Sequence, residues 1–411
     1  MFRILIVFVL ALATGIAQEP AHDTSHMQMG GSNQAGGFLL GLASGTSMNP
    51  QSWPMPMLML NQSNWSLMFM GQAFVVDTQE TGPRGHDKFY SPNWGMFAAS
   101  HNLGGGSFMF QTMLSLDPAT ITDRRFPELF QTGETAYGKP LVDAQHPHDF
   151  FMGLGLNYAH PIGENTIVQV YYAPVGDPAL GPVAFPHRAS AAELPQATLS
   201  HHWQDSSHIA NNVVTVGIMH KKIRLEASGF YGTEPNENRW NIDFGPMNSW
   251  ATRLSYFATK NWMMQVSLGR LARPERQEAG DIVRATASIH YTRPMLGSSW
   301  STSLIWGRNH KTLNQRNSNS YLLESVLPFS RKNFVTGRIE LVDKDELIGD
   351  QPFRIGAYTL GYTRDIGTFH NLQSGIGANF TSYSTPDALK AYYGNHPVSV
   401  NIFARFRLNP R

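Results

Sequence analysis

The ten residues Ser-Phe-Met-Phe-Gln-Thr-Met-Leu-Ser-Leu, at positions 107–116, alternate bulky side chains with other residues. Successive side chains of an extended chain point to opposite faces, so Phe108, Phe110, Thr112, Leu114 and Leu116 share one face. Residues 150–160 show the same period, with Phe, Met, Leu and Tyr alternating with Gly, Asn and Ala. One apolar face and one face of small or polar side chains are typical of a strand that lies between lipid and a water-filled interior.

Similar segments recur along the chain, and the connections between them alternate in length. The long connection 118–147, for example, is followed after one segment by the short 161–164. A soluble sandwich or propeller gives no reason for sorting loops in this way, whereas an outer-membrane meander does. The sequence therefore predicts an all-β fold, a transmembrane antiparallel up-and-down β-barrel of about sixteen strands, with long loops on one side and short turns on the other. The expected strands are 65–77, 93–102, 107–117, 148–160, 165–175, 211–221, 222–232, 249–259, 261–271, 281–292, 298–308, 317–328, 333–343, 352–364, 370–383 and 397–408.

Composition excludes several other classes of protein. Charged residues make up 15% of the 411 residues, which is low for a soluble domain, yet the mean hydropathy of −0.26 excludes a bundle of membrane helices. The net charge of +1 offers no basic surface for nucleic acid. Without cysteine the chain has no disulfides, no thiolate zinc sites and no cysteine nucleophile.

The amino terminus predicts export. A basic start, an apolar run over 4–13 and small residues up to Ala17 indicate a signal peptide over 1–17 that is cleaved near Ala17. Residues 18–47, rich in His, Met and Gly, are expected to be a disordered tail, and 48–64 a Met- and Pro-rich lead-in segment. Residues 65–411 would form the barrel, in the outer membrane of a Gram-negative bacterium.

Histidines and carboxylates in two long loops are candidate ligands for a metal ion such as copper or zinc. The candidates are His146, His148, Asp149, His201, His202, Asp205 and His208. The alternative is that these side chains form a hydrogen-bond network in loops that narrow the channel, with no cofactor. The methionines over 48–70 have the same two interpretations, since thioethers suit copper but also serve as flexible apolar filler.

Charged residues inside the expected strands should point toward the lumen, because charge is costly against lipid. The candidate pore-lining residues are Arg224, Glu226, Arg253, Arg284, Arg338 and Glu340. Opposed basic and acidic rows would create a transverse field that orients polar solutes.

Several loop motifs resemble a family of uncharacterised, porin-like bacterial outer-membrane β-barrel proteins. The resemblance covers roughly residues 40–300 and lies in the motifs 44–50, 53–57, 82–89, 113–120, 133–140, 145–149, 186–190, 200–206 and 238–243. It implies an exported barrel and assigns neither substrate nor catalytic residues. The last expected strand also resembles the segment that the barrel assembly machinery recognises, although it is followed by residues 409–411.

These observations favour a non-enzymatic outer-membrane channel that passes small polar solutes or ions, since about sixteen strands leave an aqueous interior. The first alternative is a metal-handling protein that uses the loop histidines and the amino-terminal His and Met residues. The second is an outer-membrane hydrolase built on Ser200, His201, Asp205 and His208. The expected partners are membrane lipids, the assembly machinery and small solutes or metal ions, and the oligomeric state is left open.

Overall fold

The computed structural model describes residues 34–205, 210–275, 279–349 and 351–409. Sixteen long strands pair in chain order, each antiparallel to its neighbours, and the last pairs with the first, so the sheet closes into a barrel. They are β1 Trp65–Glu80, β2 Asn93–Leu103, β3 Gly106–Leu114, β4 Phe151–Ile162, β5 Thr166–Gly176, β6 Ala210–His220, β7 Ile223–Tyr231, β8 Ser249–Thr259, β9 Trp262–Leu271, β10 Ile282–Met295, β11 Ser298–Lys311, β12 Arg316–Ser330, β13 Asn333–Lys344, β14 Phe353–Phe369, β15 Leu372–Ser384 and β16 Val398–Leu408. The predicted fold class is confirmed.

Connections are sorted between the two ends of the barrel. The turns after β2, β4, β6, β8, β10, β12 and β14 have two or three residues and define what we call the turn end. The longest connections, 115–150 and 177–209, leave from the opposite loop end. The connection after β11 is shorter than expected, because β11 continues to Lys311 and β12 begins at Arg316, which leaves four residues, 312–315, between them.

The outer wall of the barrel is apolar. In β9, Trp262, Met264, Val266 and Leu268 are exposed while the intervening side chains are buried. Leu225, Leu254 and Val266 are register partners on three adjacent strands and form one apolar row around the barrel. Near the turn end the ring of Tyr291 contacts the rings of Trp262 and Trp300, with centroids 4.7 and 5.2 Å apart, respectively. Aromatic rings at the edge of an apolar band are typical of a wall that meets the membrane–water boundary.

Smaller elements lie inside the barrel or in its connections, except for Leu58–Gln62, which precedes β1 and pairs with it in the main sheet. The helices are α1 Gln34–Leu40, α2 Asp117–Thr120, α3 His201–Gln204 and α4 Lys390–Tyr393, with 3-10 turns at Thr122–Arg124, Phe185–His187, Ala189–Ala191 and Asp387–Leu389. Short strands are Leu58–Gln62, Lys88–Tyr90, Phe126–Pro127, Glu134–Ala136, Lys139–Leu141 and Ala144–Gln145. Among the described residues, none of the helices has both the length and the apolar character needed to cross a bilayer.

Residues 34–57, which we call the N-terminal insert, occupy the lumen. Gln34 donates to the carbonyl of Glu164 and Ser52 donates to that of Thr292, so both ends of the insert are held near the turn end. Between them α1 buries Phe38 and Leu39 against inward-facing methionines of the wall. The disordered tail expected over 18–47 is therefore corrected for residues 34–47, which are ordered because their apolar side chains find a core inside the barrel. Residues 18–33, like the predicted signal peptide, lie outside the described residues.

The two longest connections fold into the lumen from the loop end. Residues 177–205 are largely buried, and α3 contacts the inner faces of β10, β11 and β12. The indole of Trp203 in α3 donates to Ser318 at 2.7 Å. The insert and these connections together fill much of the space that a barrel of this size leaves open.

Candidate functional site

The N-terminal insert and residues 177–205 meet inside the barrel. Asn49 of the insert donates to the carbonyl of His187 at 2.9 Å and accepts from the backbone of Ala189 at 3.1 Å. Ser44 accepts from the backbone of Ala184. One chain segment thus enters the lumen from each end, and the two segments bind each other inside it.

The wall holds these segments through buried ion pairs and hydrogen bonds. Glu226 lies between Arg224 at 3.0 Å and Arg253 at 2.9 Å, and both arginines also donate to Thr46 of the insert. Five strands farther around the wall, Glu324 lies between Arg188 of connection 177–209, at 3.0 Å, and Arg338, at 2.7 Å. A third acidic centre, Glu193 of connection 177–209, pairs with Arg405 and Arg407. The free-energy cost of burying charges of this kind is offset only while every charge keeps its partners.

The six charged residues expected to line a pore all point inward and are buried. Arg224, Glu226 and Arg253 form the group just described. Arg284 contacts Asn309 and the carbonyl of Asp205. Arg338 donates to the carbonyls of Gln196 and Ala197, while Glu340 accepts from the backbone and hydroxyl of Ser200. In this structure these six residues therefore have partners in the N-terminal insert and in residues 177–205.

A second group of polar residues gathers around the carboxylate of Glu134, which lies in the hairpin of strands Glu134–Ala136 and Lys139–Leu141. The Nε2 atoms of His146 and His202 each lie 3.1 Å from Glu134 Oε1, and Nε2 of His201 lies 3.8 Å from the same oxygen. We call Glu134, His146, His201 and His202 the histidine cluster. Two separate connections supply it, 115–150 and 177–209, so it exists because both fold inward.

The surroundings of the histidine cluster fix the orientation of its side chains. Nδ1 of His201 donates to the carbonyl of Thr198 at 2.5 Å, and Nδ1 of His146 donates to the carbonyl of Pro147 at 2.6 Å. Glu134 accepts from the amide of Gln145 and from the backbone of His146, both at 2.9 Å.

Burial controls protonation in the cluster. It lowers the pKa of His146 and the pKa of His202 to about 3, because an imidazolium is disfavoured away from water. Burial alone would raise the pKa of Glu134, but the surrounding imidazoles hold that pKa well below its usual range.

The other expected metal ligands lie elsewhere. His148 donates through Nδ1 to Asp117 at 2.8 Å, and Asp149 pairs with Arg239 at 3.3 Å. Asp205 is the residue after α3, and its carbonyl accepts from Arg284. His208 lies outside the described residues.

Among the described residues of the hydrolase alternative, Ser200 and His201 are engaged in other contacts. The hydroxyl of Ser200 donates to Glu340 at 2.9 Å, while the two ring nitrogens of His201 face Thr198 and Glu134. These contacts direct His201 away from Ser200, whose hydroxyl it would have to deprotonate as a general base.

Glu134 is the member of the cluster that sequence reasoning did not place among the ligands. It lies twelve residues before His146, a spacing that by itself carries no ligand signal. The hairpin that turns back at Gly138 brings it to the histidines. In the sequence, Gly138 after Tyr137 was the feature that could have indicated this turn.

Comparisons with known proteins agree with this architecture. No family model matches the chain, and no curated protein matches it. An anion-selective porin from Comamonas acidovorans superposes with a TM-score of 0.50 at 13% identity, covering 84% of this chain and 100% of the porin. OmpF of Salmonella typhi, solved in complex with daunomycin, superposes with a TM-score of 0.52 at 9% identity, covering 85% of this chain and 100% of OmpF. At these identities the likeness is one of fold, and the chain has the fold of the bacterial outer-membrane porins.

Proposed function

We propose that this protein is an outer-membrane channel of a Gram-negative bacterium for small polar solutes or ions, and that the structure represents its closed state. The apolar outer wall supports a place in a membrane, and the amino-terminal sequence supports export by a cleaved signal peptide. The porin fold supports the class of function without naming a solute.

One observation carries the proposal: at Thr46 and along residues 188–200 the inner segments contact the wall through charged and polar groups. When these contacts separate, Arg224, Glu226 and Arg253 are left on an inner surface that water can solvate. The contact of α1 with the wall methionines is apolar, and exposing it to water costs free energy in proportion to its area.

Proteoliposome swelling tests this function. Vesicles that contain the full chain are compared with vesicles that contain a variant lacking residues 34–57, in isotonic solutions of small sugars and amino acids. We expect slow swelling with the full chain and rapid, size-limited swelling with the deletion variant. If the folded deletion variant swells no faster than protein-free vesicles, the channel function is wrong.

The donor atoms that face the lumen favour transition-metal handling as a second candidate function. Eight wall methionines are buried around α1, namely Met68, Met70, Met96, Met109, Met113, Met152, Met219 and Met263. Inward positions of outer-membrane barrels are usually polar, so this thioether surface is unusual. Thioethers suit copper(I), while their packing on Phe38 and Leu39 also accounts for them as flexible apolar filler. Copper accumulation inside proteoliposomes, compared with potassium accumulation, separates metal handling from a general channel.

A further inference from the structure

Three imidazole nitrogens converge on one carboxylate oxygen in the histidine cluster. Glu134 Oε1 is 3.1 Å from Nε2 of His146, 3.1 Å from Nε2 of His202 and 3.8 Å from Nε2 of His201. The ligand atoms of Glu134, His201 and His202 all lie within 4.8 Å of one another. In a tetrahedral zinc site with bonds of about 2.0–2.1 Å, neighbouring ligand atoms are about 3.3 Å apart. The oxygen-to-nitrogen distances of the cluster are therefore already close to those of a metal site.

Hydrogen bonds to backbone carbonyls direct the Nε2 atoms of two rings at the carboxylate. A carbonyl oxygen can only accept, so Nδ1 of His146 and Nδ1 of His201 carry the protons that reach Pro147 and Thr198. The Nε2 atoms of the same rings therefore face Oε1 of Glu134, at 3.1 Å for His146 and 3.8 Å for His201.

The same hydrogen bonds are those that support metal ligands in proteins. A metal-binding histidine usually donates its other ring N–H to a carbonyl or carboxylate, which fixes the tautomer and the ring orientation. The carboxylate of Glu134 is likewise fixed, by the amide of Gln145 and the backbone of His146.

From this geometry we propose that Glu134, His146, His201 and His202 bind one divalent transition-metal ion, zinc or copper(II), inside the loop end of the barrel. Three imidazoles and one carboxylate suit these ions, whereas magnesium and calcium prefer sites made of oxygen atoms. The bound ion joins connection 115–150 to connection 177–209 and so strengthens the closed lumen. This inference does not depend on which solute the channel passes, or on whether it passes one.

Zinc titration of the folded full chain in detergent tests the proposal. His22 and His26 are replaced by Gln in every protein compared, so that the amino-terminal segment does not contribute these ligands. The parent protein is expected to bind one zinc ion. His146→Gln and His202→Gln are each expected to weaken that binding by about 100-fold or more, since loss of even a supporting group costs 10–100-fold.

A neighbouring histidine provides the matched control. His148→Gln lies in the same connection, two residues from His146, and its ring is bound to Asp117 instead of Glu134. Zinc affinity should be unchanged in this variant. If His148→Gln weakens binding as much as His146→Gln, or if the double variant His146→Gln/His202→Gln binds zinc as tightly as the parent, the site is wrong.

Spectroscopy of the parent protein keeps the test independent of whether the variants fold. Copper(II) added at one equivalent should give an electron paramagnetic resonance spectrum with hyperfine coupling to three imidazole nitrogens. A spectrum without nitrogen coupling would overturn the proposal. Proteoliposome swelling by the same variants reports on the channel separately, so failure of the metal site and failure of the channel give different results.

Discussion

Arg253 of β8 donates two hydrogen bonds to Glu226 of the neighbouring strand β7, at 2.9 and 3.0 Å, and one more to Thr46 of the N-terminal insert, at 3.0 Å. The residues are register partners, so the sheet itself sets their separation. Arg224 completes the group on the other side of Glu226. One wall carboxylate thus holds two arginines in position to bind the insert, so the same group of charges joins β7 to β8 and the insert to the wall.

Removal of this carboxylate should be costly. Glu226→Gln keeps the shape of the side chain but leaves Arg224 and Arg253 buried without their counter-charge. Breaking a buried pair by removing one partner typically costs about 3–5 kcal/mol. We expect a loss of that size in the free energy of unfolding, measured by urea titration in lipid vesicles. The control is Asp387→Asn, which removes an exposed ion pair with Lys390 and should leave the unfolding curve unchanged.

The pH should modulate docking of the insert through Asp177. Burial is the largest effect on the carboxyl group of Asp177 and raises its pKa from 3.8 to about 7. The nearby charge of Asp205 also raises this pKa, whereas the hydrogen bond from Ser44 of the insert and the charge of Arg253 lower it. Because the pKa is higher in the folded state, the contribution of Asp177 to stability is complete below pH 3.8 and is lost as the pH rises through about 7.

Asp177→Asn removes this titration. We expect the melting temperature of the wild-type barrel to fall between pH 5 and pH 8 by more than that of the variant, as measured by circular dichroism. The difference between the two proteins isolates Asp177 from the buried histidines, which both share. Equal slopes for the two proteins would show that Asp177 does not titrate in this range.

The outer wall gives a prediction about the membrane. Leu254 lies near the middle of β8 in the apolar row with Leu225 and Val266. An arginine on the lipid face near the bilayer midplane destabilises an outer-membrane barrel by about 2–4 kcal/mol. We expect Leu254→Arg to lower the free energy of unfolding in vesicles by that amount. Leu313→Arg, in the exposed connection 312–315, is the matched control and should have no such effect.

The strands could be predicted from the sequence because each carries its own evidence. Lipid on one side and the lumen on the other impose a period of two, and β9 shows that period at every position from Trp262 to Leu271. The ends of strands were less certain, as at 309–316, because polar residues such as Asn309 occur both inside the barrel and in loops.

The contents of the lumen could not be predicted in the same way. The residues of α1 include two glycines and have no clear helical period, and they form a helix because the barrel supplies a surface for Phe38 and Leu39. The candidate site was partly predicted: His146, His201 and His202 come together, whereas His148 and Asp149 bind Asp117 and Arg239. Glu134 joins them through tertiary folding of a hairpin, which residue spacing does not encode.

Gly45 of the insert offers a direct test of whether the insert closes the lumen. Its φ is +54°, and a Cβ atom at this position would lie 2.5 Å from the carbonyl oxygen of Asp177. Gly45→Val should therefore prevent docking of the insert against residues 177–205. Gly138 also has a positive φ, +71°, but nothing lies within 4 Å of its Cβ position, so Gly138→Val introduces similar backbone strain without the clash.

The decisive measurement is the conductance of these proteins in planar lipid bilayers. We expect the wild-type protein and Gly138→Val to stay closed most of the time, and Gly45→Val to show long-lived open levels typical of a porin. Equal conductance of Gly45→Val and Gly138→Val, whether both are open or both are closed, would show that docking of the insert does not close the lumen.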